Sequence, residues 1–158
     1  MEEVTAYIAL GANIGERAIN IQKAVDAIDH TSRVTVGSVS RFIENPAVGG
    51  PEGSPDFLNA VTEVHTSLEP GALLLRLLDI ERSLGRERRE KWGPRIIDLD
   101  LILYGDQIID TPELKIPHPL MHQRRFVLEP LVEIAPGVRH PILNKTARQL
   151  LAELPQDP

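Results

Sequence analysis

Nine residues in the second half of the chain, Ile96-Ile97-Asp98-Leu99-Asp100-Leu101-Ile102-Leu103-Tyr104, constrain the fold more than any others. Their density of branched and aliphatic side chains predicts a strand over 96–104. Successive strand residues point to opposite faces. Asp98 and Asp100 therefore share a face, with Cα atoms about 6.6 Å apart, and Leu99, Leu101 and Leu103 share the other. Ile96 and Ile102 flank the acids on their own face, which implies partly buried carboxylates. Two like charges so placed raise each other's pKa unless a cation holds them. Oxygen donors on a rigid strand suit a hard ion, with Mg²⁺ the usual one beside phosphates. An ordinary solvated strand face, or a pair bonded to nearby Arg, is the competing reading.

Other segments supply partners for this strand. A strand is predicted over 4–10, ending at Gly11-Ala12-Asn13, then a helix with Ile21, Ala24, Val25 and Ile28 on one face. Strands follow over 33–39 and 57–66. Pro70 opens a helix whose buried stripe is Leu73, Leu77, Ile80 and Leu84, and Gly85 suits its end. Gly105-Asp106 predicts a tight hairpin from the strand over 96–104 into 107–109. Short helices are predicted at 128–134 and around Ala147, Leu150, Leu151 and Leu154. Strands and helices mix without strict alternation, which favours α+β with a ferredoxin-like antiparallel sheet. At 158 residues the chain reads as a single domain, 1–158, large enough for a core without staples.

The chain has no cysteine, which excludes disulfides, thiolate metal sites and thiol nucleophiles. The formal net charge of −6 argues against bulk binding to nucleic acid or anionic membranes. The N-terminus carries no signal-like segment and apolar runs are short, so a cytoplasmic protein that does not cross a bilayer is expected.

Two Pro- and Gly-punctuated loops stand out. Residues 44–56 hold three Pro and three Gly. Residues 86–95 hold five basic and two acidic side chains, a local charge of +3, with the sole Trp at Trp92. Arg suits bidentate phosphate binding. Trp92 fits a lid or stacking group, or tucks onto the body of the protein. Glu81 falls within the apolar arc of its helix, so it either pairs with an Arg such as Arg86 or faces a cleft. His118, framed by Pro117 and Pro119, suits phosphate binding or proton transfer, or is a turn residue. Phe57 and Asn59 share a strand face. A flat ring beside an amide suits a planar heterocycle, and core Phe plus edge Asn is the plainer alternative. No Walker A, dinucleotide-binding, zinc-protease or kinase signature is present.

The ordered motifs Ala6-Tyr7-Ile8-Ala9-Leu10-Gly11-Ala12-Asn13, Pro55-Asp56-Phe57-Leu58-Asn59-Ala60, Lys91-Trp92-Gly93-Pro94-Arg95-Ile96-Ile97-Asp98-Leu99-Asp100, Pro117-His118-Pro119 and Arg124-Arg125-Phe126 closely resemble those of the 6-hydroxymethyl-7,8-dihydropterin pyrophosphokinases of folate biosynthesis. The resemblance implies a ferredoxin-like fold with long mobile catalytic loops. It implies pyrophosphate transfer from ATP to the hydroxymethyl group of the pterin, with release of AMP. By the same resemblance two Mg²⁺ ions sit on Asp98 and Asp100, and Arg86 and Arg95 join these as catalytic residues. Glu81, Arg88, Trp92, Ile102, His118 and Arg124 lie on the ATP side. Phe57 and Phe126 sandwich the pterin, Asn59 reads its edge, and Asn45 and Val48 assist. A monomer with small-molecule partners only is expected.

The competing classes are a non-catalytic binding module on the same scaffold and a metal-dependent phosphohydrolase. The first lacks reason to carry the acid pair, the Arg loop and the Pro-His segment together. The second predicts orthophosphate release without any pterin.

Overall fold

The computed structural model describes residues 2–45, 56–85 and 96–155. The elements are β1 (Val4–Ala12), α1 (Arg17–Asp29), β2 (Val34–Val39), β3 (Ile43–Asn45), β4 (Phe57–Thr66), α2 (Pro70–Leu84), β5 (Asp98–Tyr104), β6 (Ile109–Asp110), β7 (Lys115–Ile116), a 3-10 turn (Met121–Gln123), α3 (Arg125–Ile134), β8 (Arg139–His140), β9 (Lys145–Thr146) and α4 (Ala147–Glu153).

The main sheet runs β2-β4-β1-β5, with β3 continuing the outer edge of β4, and every pairing is antiparallel. Strand–helix–strand, strand–helix–strand with the last strand beside the first is the ferredoxin-like arrangement expected from the sequence. The reason lies in alternation. On β1, Ala6, Ile8 and Leu10 point to one face, where they pack with Ile21, Ala24 and Ile28 of α1 and Leu73 and Leu77 of α2. Each fully buried side chain of this kind contributes about 1.5–3 kcal/mol. The stripe predicted for α1 is the buried one, and so is that of α2 apart from Leu84, which is partly buried at the helix end.

The opposite face is covered too. Tyr7, Val61, Ile102 and Leu103 meet Met121, Val127, Leu128 and Leu131 of the C-terminal region, with Ala147 and Leu150 of α4 behind them. A capping box starts α4: Thr146 accepts the Gln149 N–H at 3.1 Å and its own N–H donates to the Gln149 side chain at 2.8 Å. Asn59, Gly11 and Asp98, at one end of the sheet, are not among the residues of this second cluster.

Three expectations change. Leu103, expected on the face of Leu99 and Leu101, packs in the opposite layer beside Ile102, because the pairing of β5 with β1 shifts register between Leu101 and Leu103. Gly105 does make a turn, with φ 54° and a Gln107 N–H to Tyr104 carbonyl bond of 3.1 Å. The chain does not return along β5, however: β6 pairs with β7. The outer edge of β5 is already engaged, its Leu99 N–H by Glu81 and its Ile102 carbonyl by the His118 N–H, so no returning strand is accommodated there. Glu44 and Asn45, read as loop, form the end of β3.

Candidate active site

Strand register assembles the site. Asn59 of β4, Gly11 of β1 and Asp98 of β5 lie in one row across the sheet, and Val61, Ala9 and Asp100 form the next. Directly opposed residues share a face. With strands about 4.8 Å apart, the Asn59 and Asp98 Cα atoms are roughly 10 Å apart across Gly11. The central strand contributes only Gly11 and Ala9, so the floor between amide and acids is flat.

Gly11 is required by close approach. A Cβ there would lie 2.9 Å from Asn59 Nδ2 and 3.5 Å from Phe57 Cδ1. The Phe57 ring and the Asn59 amide thus lean over the same glycine. Asn59 is buried, and its Oδ1 accepts a hydrogen bond from Asn45 Nδ2 at 2.7 Å. With one acceptor lone pair engaged, the Asn59 amide is fixed in orientation and its NH₂ is directed over Gly11.

On the other side of the row, Asp98 is half-buried and Asp100 exposed. The same-face prediction holds. Glu81 of α2 accepts the Leu99 N–H at 2.6 Å, which fastens the peptide between the two acids to the helix. Next to them β5 carries a bulge: pairing with β1 jumps from Leu101 to Leu103 and skips Ile102. The Ile102 side chain is 1% exposed and belongs to the core. The bulge carbonyl takes the His118 N–H at 3.0 Å.

His118 Nδ1 accepts the Leu120 N–H at 3.1 Å, so the neutral ring carries its proton on Nε2. Burial pushes the imidazole below its ordinary pKa, Asp100 pulls it up, and Arg124 pushes it down again. Asp100, His118 and Arg124 therefore share one electrostatic neighbourhood, although they come from a strand, a Pro-framed segment and a helix cap. The Arg124 guanidinium carbon lies 5.6 Å from the centre of the Phe126 ring, in cation–π range. Phe126, in the first turn of α3, is partly buried on the same side of the sheet.

Of the residues singled out in the sequence, the structure brings Phe57, Asn59 and Asn45 into one corner and Asp98, Asp100, His118 and Arg124 into another. Glu81 serves the strand edge and Ile102 the core. Val48, Arg86, Arg88, Trp92 and Arg95 lie outside the described residues. Sequence reasoning missed Arg17, whose guanidinium reaches Glu44 and the Asp56 carbonyl. The available signal was a cation at the start of a helix, where the macrodipole disfavours it.

The donor set fits a hard divalent cation. It offers two carboxylates on one strand face, one of them open to solvent, and Mg²⁺ characteristically takes one or two carboxylates and completes its shell with water and phosphate. Among the described residues no group of three or more His, Cys, Asp or Glu could hold a metal by itself.

Fold and site define the class: a ferredoxin-like α+β protein bearing the acid pair and basic neighbours of metal-dependent phosphoryl-transfer sites. The chain belongs to the 7,8-dihydro-6-hydroxymethylpterin-pyrophosphokinase (HPPK) family, which it matches over residues 7–136. It is 41% identical over 149 residues to the 2-amino-4-hydroxy-6-hydroxymethyldihydropteridine pyrophosphokinase of Aquifex aeolicus, covering 94% of this chain and 91% of that one. It is 46% identical over 133 residues to the Bacillus subtilis protein of the same name, covering 84% and 79%. Among solved structures, the wild-type HPPK-DHPS of Plasmodium falciparum with pteroate superimposes with a TM-score of 0.72 at 17% identity, a likeness of fold. That match covers 96% of this chain and 42% of the longer one.

Proposed function

We propose that this chain transfers pyrophosphate from ATP to the hydroxymethyl oxygen of 6-hydroxymethyl-7,8-dihydropterin, giving the pterin diphosphate and AMP in folate biosynthesis. The observation that carries this reading is the row Asn59–Gly11–Asp98, which sets a flat heterocycle corner and an acid pair at opposite ends of one row of the sheet. Family membership supports it.

In the reaction the hydroxymethyl oxygen bonds to the β-phosphorus, the bond from that phosphorus to the oxygen bridging it to the α-phosphate breaks, and the hydroxyl proton leaves. Asn59 reads the polar edge of the pterin, held in one orientation by Asn45. Phe57 and Phe126 stack on the ring. Asp98 and Asp100 would hold two Mg²⁺ ions, which when bound supply charge neutralisation along the phosphate chain. His118, kept neutral by burial, donates from Nε2 to a phosphate oxygen, and Arg124 adds a fixed positive charge. Arg86, Arg88, Arg95 and Trp92 engage ATP, and Val48 assists at the pterin. Alignment and charge neutralisation carry phosphoryl transfer of this kind, so no strong general base is required. The chain works as a single-domain cytoplasmic monomer. Among the described residues no helix is long and apolar enough to cross a membrane.

The test is turnover with ATP and the pterin, with mass detection of both products. AMP and pterin diphosphate should form in equal amounts and only with the pterin and Mg²⁺ present. Orthophosphate release without pterin would overturn the reading.

A further inference from the structure

We infer that Arg17 is a positioning residue for the pterin corner: it fastens the end of β3 to the start of β4 and so sets the Asn45–Asn59 pair. The inference rests on the proposed function for its ligand and on geometry for its mechanism.

Arg17 is the first residue of α1. One arm of its guanidinium donates to the Glu44 carboxylate at 3.1 Å, and another donates to the Asp56 main-chain carbonyl at 2.9 Å. Glu44 immediately precedes Asn45, and Asp56 immediately precedes Phe57. The register pairs Asn45 with Phe57 and Glu44 with Leu58. A single planar group therefore holds the chain just before both members of the Asn45–Phe57 pair.

The location is costly for the helix, which makes the contacts informative. A guanidinium at a helix N-terminus opposes the macrodipole. The N-cap residue Glu16 makes no side-chain cap, and the first turn contains no acidic residue. The helix start thus has the Glu16 charge at its N-cap but no side-chain cap bond, and carries an adverse charge at Arg17. Several other surface ion pairs are local: Arg76 and Arg82 meet Asp79 three residues away, and Arg125 meets Glu129 four residues away, whereas Arg41 and Glu133, like Arg17 and Glu44, join distant elements. Arg17 joins three separate elements.

β3 needs holding at both ends. It is three residues long and, among the described residues, pairs with β4 alone. Its leading end is fixed by Ser40, which exchanges two bonds with Val61, and by Glu133 of α3, which accepts the Arg41 N–H. Its trailing end, where Asn45 sits, has Arg17. Lysine replaces it only in part, because one ammonium on a flexible stem does not present two divergent donors in a fixed plane.

The experiment measures pterin and ATP-analogue affinity by calorimetry for wild type, Arg17→Ala, Arg17→Lys and Glu44→Gln, with thermal midpoints recorded in parallel. Loss of preorganisation should weaken pterin binding about tenfold in Arg17→Ala and less in Glu44→Gln, with Arg17→Lys between them. ATP-analogue affinity and thermal midpoint should stay near wild type, because an exposed ion pair contributes little to global stability. Glu44→Gln keeps the fold testable should Arg17→Ala fail to fold. Unchanged pterin affinity in Arg17→Ala overturns the inference, and so does a parallel fall of pterin affinity, ATP affinity and thermal midpoint. A wild-type chain that binds no pterin overturns the proposed function, and the ligand of this inference with it.

Discussion

Glu81 reaches from α2 to accept the Leu99 N–H at 2.6 Å, between the two acids of β5. Edge strands present main-chain groups with no neighbouring strand to bond, and a helix carboxylate here does the work of one. The bond explains why a charged residue sits within the apolar arc of α2. Glu81→Ala removes the acceptor and is expected to cost about 1–2 kcal/mol of stability. Displacing the acid pair should also lower turnover, by about tenfold. Glu81→Gln keeps an acceptor oxygen and should lose less in both respects. Urea midpoints measured beside turnover separate the two effects, and an alanine variant as stable as wild type would show the bond to be without weight.

Gly11→Ala tests the flat floor. The added methyl would lie 2.9 Å from Asn59 Nδ2. The obstruction is a side chain, so the fold should survive with a loss of about 1 kcal/mol. Asn59 cannot yield, however, without disturbing its 2.7 Å bond from Asn45. Pterin affinity should fall by about tenfold or more, with ATP-analogue affinity retained. Calorimetry with each ligand decides it, and equal losses for both ligands would count against a local pterin corner.

Much of this arrangement could be read before the structure, because it depends on periodicity. The stripe Ile21, Ala24, Val25, Ile28 is the buried face of α1, and alternation alone puts Asp98 and Asp100 together. What could not be read depends on pairing partners. β3 is too short to show a period. The bulge at Ile102 is a shift of register against β1, which no local pattern records. The turn at Gly105 was correctly placed, but the partner of the following strand was not, since Glu81 and His118 had already taken the outer edge of β5. Arg17 illustrates the same limit: its position is odd for a helix, but only the meeting of β3 and Asp56 explains it.

His140 supplies a pH-dependent stability. It is buried, its Nδ1 accepts the Ile142 and Leu143 N–H groups at 3.3 and 3.1 Å, and its ring meets His122 edge-on at 5.8 Å. Burial first, and the charge of His122 second, push its pKa down. Arg139 precedes it and Lys145 faces it across the β8–β9 pair, so no carboxylate in this register relieves a proton. The unfolded chain therefore binds the proton more readily than the folded one. This contribution is complete above the unfolded value of about 6.5 and is lost as pH falls from there through the lower folded pKa. Urea midpoints should decline between about pH 7 and pH 5, and His140→Asn should flatten that slope. An unchanged slope in the variant would assign the acid sensitivity elsewhere.

Asp98→Asn and Asp100→Asn separate the metal reading from a structural one. Both substitutions keep shape and remove charge; Asp100 is exposed, so Asp100→Asn should leave stability unchanged, and Asp98→Asn, at a half-buried position, is read beside its own thermal midpoint. Removing the exposed charge of Asp100 relieves repulsion on the strand face, so the thermal midpoint of Asp100→Asn should hold or rise slightly in the absence of metal. Turnover at saturating substrate should fall by about a thousandfold or more in each variant if the pair holds the cations that neutralise the phosphate chain. The Mg²⁺ concentration giving half-maximal binding of an ATP analogue should rise in each, while pterin affinity, set at the other end of the Asn59–Gly11–Asp98 row, should change much less. Near-normal rates in both variants, with an unaltered Mg²⁺ dependence, would mean that the acids do not hold the metal.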